Sequence, residues 1–265
     1  MSYKEYIGSS GGFVERLEVF GSDLTVVNAA RVSFAKESHA FSKQDAKLVQ
    51  YLARHNHTSP FFHPQIRFRL KMPIFVAREW FRHTVGFSRN EVSRRYVDFT
   101  PELWQPCAHE IRARDPRAKQ GSKDCAVDNA DDAFRIMHTS QQQSLKAYNE
   151  LLAAGVAPEV ARAVLPQSMM TEFIETASLA AYARLCKLRL DPHAQKEIRD
   201  YAAVVERALY NHFPVSWTAL MEDTVPAVSA TPAPVPAPTP SPTPPVEAMA
   251  NMTIDNSLTY TQWGC

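Results

Sequence analysis

The stretch Gln65-Ile-Arg-Phe-Arg-Leu-Lys-Met72 alternates without a break, with Ile66, Phe68, Leu70 and Met72 on one side and Arg67, Arg69 and Lys71 on the other. A two-residue period does not fit a helix, so the segment must be a strand with one apolar and one basic face. Pro73 follows, and the apolar run Ile74 to His83 reads as a helix, because proline suits the first helical turn. A second alternation, Gly12 to Phe20 with Phe13, Val14, Leu17 and Val19, predicts another strand, closed by the turn Gly21-Ser22-Asp23.

The rest of the body reads mainly as helix. Asp23 is placed to cap a helix over Leu24–Val32, with Leu24, Val27 and Ala30 facing inward. Ser42 caps a second, with Ala46, Val49, Leu52 and Ala53 at helical spacing, and the run from Asn56 to Pro60 breaks it. A polar stretch from Pro106 to Asp131 reads as a surface insertion. Helices are then expected over Thr139–Ala154 and from Ala157-Pro158-Glu159, the latter interrupted by Pro166. A long buried helix over Thr171–Arg189 and one from Asp191-Pro192 to Tyr210 complete the reading. Few strands and many helices, without regular βαβ alternation, predict an α+β fold: a small mixed sheet packed with several helices. Nine of the 19 prolines fall between Pro226 and Pro245, which separates a body, residues 1–223, from a Pro/Ala/Thr-rich tail, residues 224–265. Such a tail has too little apolar surface to fold and is expected to be extended and flexible.

Composition narrows the function. A net charge of +1 and 22% charged residues exclude a strongly basic nucleic-acid coat and a disordered acidic chain. No run reaches the roughly 18 apolar residues of a membrane span, and the start, Met1-Ser2-Tyr3-Lys4-Glu5, does not read as a signal peptide. Cys107, Cys125, Cys186 and Cys265 lack any metal-binding or redox spacing and are expected as reduced thiols of a cytoplasmic protein. His55, His57 and His63 lie close together but without helical ligand spacing or a companion carboxylate, so no metal is expected.

The densest polar stretch runs from Arg82 to Tyr96, with four arginines, His83, Ser88, Ser93, Asn90 and Glu91. Guanidinium forks bind phosphate bidentately, while Asn90 and Glu91 suit the edge of a polar ring. A second basic cluster spans Arg184 to His193, and Arg162 stands in an apolar helix where a buried ion pair with Glu159 or Glu172 is the alternative to a ligand. Cys186, inside an apolar helical run, reads as an inert core thiol.

At these clusters the chain closely resembles the flavin-dependent thymidylate synthases. The likeness rests on Ala29-Ala30-Arg31-Val32-Ser33-Phe34, His57-Thr58-Ser59-Pro60-Phe61, Pro73 to Arg78, Arg82-His83, Ser88 to Tyr96, Ala161 to Pro166, and Leu188-Arg189 followed by His193-Ala194-Gln195. It implies a wrap-around homotetramer that methylates dUMP to dTMP with methylenetetrahydrofolate, using FAD reduced by NADPH and no cysteine nucleophile. It further implies FAD contacts at Ser59, Arg82, His83, Thr84, Val85, Glu91, Ser178, Arg184 and His193. Nucleotide contacts are implied at Glu79, Trp80, Phe81, Arg82, Glu91, Val92, Ser93, Arg94, Arg95, Arg162 and Arg189, with Arg189 orienting and activating the uracil ring. The family's Arg-His-Arg becomes Arg82-His83-Thr84 here, with one extra residue before Ser88, which leaves Arg89 as the candidate for the displaced flavin-phosphate contact. No nucleic-acid or membrane partner is implied.

Overall fold

The computed structural model of the chain describes residues 3–96, 100–117 and 121–222. The expected tail, residues 224–265, lies outside the described residues. The strands are β1 (Tyr3–Ile7), β2 (Gly12–Phe20), β3 (Gln65–Pro73), β4 (Phe87–Glu91), β5 (Arg112–Arg114), β6 (Ser122–Ala126) and β7 (Met170–Ser178). The helices are α1 (Asp23–Arg31), α2 (Lys43–Arg54), α3 (Ile74–Trp80), α4 (Ala130–Ala153), α5 (Pro158–Ala161), α6 (Leu179–Arg189), α7 (Lys196–His212) and α8 (Pro214–Met221). The α+β class holds. The main sheet, however, is antiparallel at every pairing rather than mixed, in the order β1-β2-β3-β7-β4, and β5 and β6 form a separate hairpin.

β3 obeys its alternation: Ile66, Phe68, Leu70 and Met72 are buried to within 1%. They join Val14, Phe173 and Ala177 of the neighbouring strands, and residues of α2, α6, α7 and α8, in one apolar core. On the other face each basic residue of β3 meets a carboxylate: Arg67 with Glu18 at 2.7 Å, Arg69 with Glu15 at 2.6 Å and Lys71 with Glu102 at 2.6 Å. The first two are cross-strand pairs with β2, the third reaches a loop carboxylate, and such pairs stabilise a sheet modestly and leave little net charge on its face.

The largest departure from the sequence reading is Thr171–Arg189. Its first half is strand β7, paired with β3 on one side and β4 on the other, and only its second half is helix α6. Thr171, Phe173, Ile174 and Thr176 are β-branched or aromatic, and a doubly paired central position overrides the apolar continuity that suggested a single helix. Ser178 marks the switch: its hydroxyl accepts from Ala181 N at 3.2 Å and caps α6.

Other boundaries shift for local reasons. Pro73 closes β3 and serves as the N-cap of α3, which ends at Trp80 rather than His83. Ser22, not Asp23, is the N-cap of α1; the Asp23 carboxylate instead accepts from Val215 N at 3.1 Å and Ser216 N at 2.8 Å, capping α8. Of the inward residues expected on α1, Val27 is buried, whereas Leu24 and Ala30 are half-buried. Ser42 caps α2 as expected, accepting from Asp45 N at 3.3 Å, and Asn56 at φ 55° follows the helix end. α4 begins at Ala130, nine residues before the expected start, and α7 begins at Lys196, because Asp191–Gln195 forms a turn instead of a first helical turn. The expected insertion, 106–131, contains the β5–β6 hairpin, anchored to α7 by Arg112 donating to Glu197 at 2.7 Å.

Candidate active site

α3 separates two clefts. Phe75, Glu79 and Arg82 recur at helical spacing on one side and line a cleft of about 1260 Å³ with Trp104, Arg189 and His193. Ile74, Ala77, Arg78 and Phe81 line a second cleft, of about 530 Å³, shared with Glu91, Val92, Ser93, Arg94 and Arg162. The nucleotide contacts implied by the resemblance therefore fall into two groups within one chain. Glu79, Arg82 and Arg189 stand in the larger cleft; Phe81, Glu91 to Arg94 and Arg162 stand in the smaller.

Arg189 is the last residue of α6, where a cation also suits the negative end of the helix dipole. Its guanidinium pairs with the Glu79 carboxylate and donates to the Glu79 carbonyl at 3.4 Å. Its Nε donates to His83 Nε2 at 2.9 Å, so His83 is an acceptor at that nitrogen. Burial, followed by the guanidiniums of Arg189, Arg89, Arg184 and Arg82, pushes the His83 pKa down to about 4. At neutral pH the ring is uncharged and carries its proton on Nδ1. Two acceptors thus orient one fork, and no buried cation faces another without relief.

Three of the residues expected to hold the cofactor, Val85, Ser178 and Arg184, meet around Gly86. This glycine has φ +82°, and a Cβ there would come to 3.0 Å from Ala181 Cβ, 3.3 Å from Ser178 Oγ and 3.6 Å from Phe62. The close approach lets Ser178 N donate to Gly86 O at 3.3 Å and Arg184 donate to Val85 O at 2.7 Å. The Arg184 guanidinium lies 5.7 Å from the Phe62 ring centroid, at the end of the 3₁₀ turn Ser59–Phe62 that carries Ser59. Thr84 and Val85 directly precede Gly86, and Arg82, Thr84 and Val85 are all exposed. Glu91 lies apart from it, accepting from Thr171 Oγ1 at 2.5 Å. His193 is exposed, its ring nitrogen 2.9 Å from the Asp191 carboxylate, which also accepts the His193 amide at 2.7 Å.

Several expected site residues have other tasks. Trp80 is fully buried, and its indole donates to both oxygens of Glu175 at 3.1 Å. Arg89, the candidate for a displaced phosphate contact, is instead paired with Glu175, with its Nη2 buried. Arg162 is exposed, donating to Glu159 O at 3.3 Å, so neither form of a buried ion pair is present. Arg95 is exposed and pairs with Glu159 at 3.3 Å, while Arg94 is buried, and that burial lowers its pKa. Glu175, Tyr182 and Trp104 carry no signal in the sequence; a glutamate in a run that reads as helix gives no sign that it faces a core. Cys186 is fully buried, and burial, with the nearby charge of Glu206, raises its thiol pKa well above the ordinary value. Among the described residues, no cysteine lines the larger cleft and no group of three metal-ligating side chains occurs. No helix among the described residues is long and apolar enough to cross a membrane.

A cleft carrying oriented guanidiniums, walled by the aromatic pair Phe75–Trp104 and with no thiol among its described lining residues, defines a protein built for an anionic ligand that carries a ring, which is the chemistry of a nucleotide. Comparison with known proteins gives the family. The profile of the thymidylate synthase complementing protein family matches residues 17–215. A flavin-dependent thymidylate synthase of Thermus thermophilus is 41% identical over 211 residues, covering 80% of this chain and 76% of its relative. That of Thermotoga neapolitana is 40% identical over 211 residues, covering 80% and 91%. Among solved structures, a UMP/dUMP methylase, PolB of Streptomyces cacaoi, bound with 5-Br dUMP superposes with a TM-score of 0.70 at 31% identity, covering 78% of this chain and 93% of that one. The chain belongs to the thymidylate synthase complementing protein family, the flavin-dependent thymidylate synthases.

Proposed function

We propose that the chain is a flavin-dependent methyltransferase that converts dUMP to dTMP, with methylenetetrahydrofolate as carbon donor and FAD reduced by NADPH. The observation that carries this reading is Arg189, aimed into the larger cleft by Glu79 and the neutral ring of His83, with no cysteine among the described residues of the cleft lining. The relatives support it: they are named for the same flavin-dependent synthesis, and PolB binds a dUMP analogue.

The donor set fits a flavin dinucleotide. The guanidiniums of Arg82 and Arg184 suit a pyrophosphate, and Val85 with the Phe62 ring supplies apolar surface beside them. Ser59 lies in the turn that ends at Phe62 and Thr84 directly precedes Val85, whereas His193 lines the larger cleft and the Ser178 hydroxyl serves as the cap of α6 and contributes through position alone. When bound, the reduced flavin supplies the hydride that lets uracil be methylated without a covalent bond to the enzyme. Arg189 stabilises negative charge developing on the pyrimidine ring, and its two acceptors hold the fork in place before substrate arrives. Arg82, in the lining of the larger cleft, neutralises phosphate there. The Cys186 thiol, buried and protonated, takes no part.

The split of the nucleotide-contact residues between two clefts supports a site completed by other copies of the chain, and we read the working assembly as a homotetramer. The paired charges on the outer face of β3 weigh against a nucleic-acid partner for that face. The test is direct. FAD titrated into the purified protein should lose fluorescence saturably at micromolar concentrations, and the loaded protein should release tritium from 5-labelled dUMP only with NADPH and methylenetetrahydrofolate present. Saturable flavin binding without release of tritium would refute the reaction; no flavin binding would refute the class.

A further inference from the structure

We propose that Arg89 and Glu175 are a positioning pair that acts through the carbonyl and ring of His83 to hold the Arg189 guanidinium in its working orientation. The inference rests on the reading of Arg189 given above and extends it to two residues outside the cleft.

Glu175 and Arg89 are directly opposite each other in the β7–β4 register. The glutamate side chain is fully buried, a costly place for a carboxylate unless its lone pairs are met. They are: the Trp80 indole donates to both oxygens at 3.1 Å, the Tyr182 hydroxyl donates at 3.0 Å, and Arg89 Nε completes the set. An apolar pair of similar volume would serve stability at least as well, so a buried ion pair here calls for another purpose. The second arm of Arg89 indicates one. Its Nη1 donates to the His83 carbonyl at 2.5 Å, while the Phe87 and Phe81 rings lie 4.5 Å and 5.2 Å from the guanidinium carbon. His83 sits in the turn after α3, where no strand ladder fixes it, and its ring nitrogen receives Arg189 Nε at 2.9 Å. An unbroken line of contacts therefore runs from the centre of the sheet to the cleft: Glu175, Arg89, His83, Arg189. One fork anchors on a rigid strand and grips the turn, and that turn presents the acceptor on which the working arginine rests.

Arginine bridges the two acceptors with separate arms of a planar group, and lysine offers a single ammonium. A brace that only neutralises Glu175 would tolerate Arg89→Lys; a positioning fork would not. The His83 ring in ¹⁵N-labelled protein, assigned by its loss in His83→Gln, reports this independently of catalysis. The wild type should show one neutral tautomer, protonated on Nδ1, at pH 7.5. Arg89→Lys should keep a melting temperature within a few degrees of wild type, yet show a mixture of tautomers, and its KM for dUMP should rise about tenfold on the flavin-loaded protein. Glu175→Gln, which keeps the shape but releases Arg89, should show the same tautomer mixing and provides the comparison if the lysine variant does not fold. A wild-type tautomer pattern in whichever of these variants folds, or a wild-type ring protonated on Nε2, would overturn the proposal. If no variant and no wild-type preparation turns over dUMP, the reading of the reaction fails, while the tautomer comparison still decides the role of Arg89 and Glu175.

Discussion

A guanidinium at the end of a helix is common; Arg189 stands out because both of its acceptors are themselves fixed. Replacing it by Ala should lower dTMP formation about 10²-fold or more, the scale for one lost donor to developing charge. Arg189→Lys should recover only part of that, since an ammonium cannot meet Glu79, His83 and a ring edge together. Cys186→Ala should keep most activity, because the thiol is buried against Ala202 O, 3.9 Å away, and stays protonated. Turnover with flavin content measured for each variant checks all three. His83 adds a pH signature. Its folded pKa is lowered to about 4 from an unfolded value of about 6.5, so the unfolded chain takes up this proton first as pH falls. The stability it contributes is complete above about pH 6.5 and is lost progressively toward pH 4. Urea midpoints of wild type and His83→Gln should therefore converge as pH falls from about 7 to about 4.5; parallel curves would contradict the buried neutral ring.

Among the elements, α8 depends on a residue far away in the chain. Asp23 opens α1 yet accepts the Val215 and Ser216 amides, tying the first helix to the last. Asp23→Ala should destabilise the fold by about 1 kcal/mol, and somewhat more because the cap is buried, read as a shift in the urea midpoint without change in its slope. Sequence spacing suggests only a local cap for this aspartate, since a partner nearly two hundred residues away leaves no mark on its neighbours. α2 and β3 show the opposite case. Ser42 and the Ile66–Met72 alternation carry their outcome within a few residues, and both elements form where those residues predict. The Thr171–Arg189 segment departs from its sequence reading because periodicity cannot tell a doubly covered strand from a buried helix when both faces are apolar.

For the molecule as a whole, the two clefts on either side of α3 place the residues proposed to contact the nucleotide in two groups, and one chain does not unite them. Light scattering should give a mass of about four chains, and dilution into monomers should abolish turnover while leaving helix content in place. Removing residues 224–265 should leave activity and melting temperature nearly unchanged, because a Pro/Ala/Thr segment offers little apolar surface to bury. A marked loss of either in the shortened protein would show that the segment docks.

The sequence by itself determined the family, because motifs of residue type and spacing survive without knowledge of contacts, and it singled out the arginine-rich stretch from Arg82 to Arg95 and Arg189 as the groups to test. It also determined β3, α2 and the short helix that starts at Pro158 and ends before Pro166, whose patterns are local. Only the tertiary structure decided which arginines line a cleft. Arg82 and Arg89 look alike in the chain, yet one lines the larger cleft and the other lies against the buried Glu175. The difference arises because β4 pairs with β7 and sets Arg89 opposite a carboxylate 86 residues further on. The environment of a charge depends on what long-range pairing brings to it, and no local pattern encodes that.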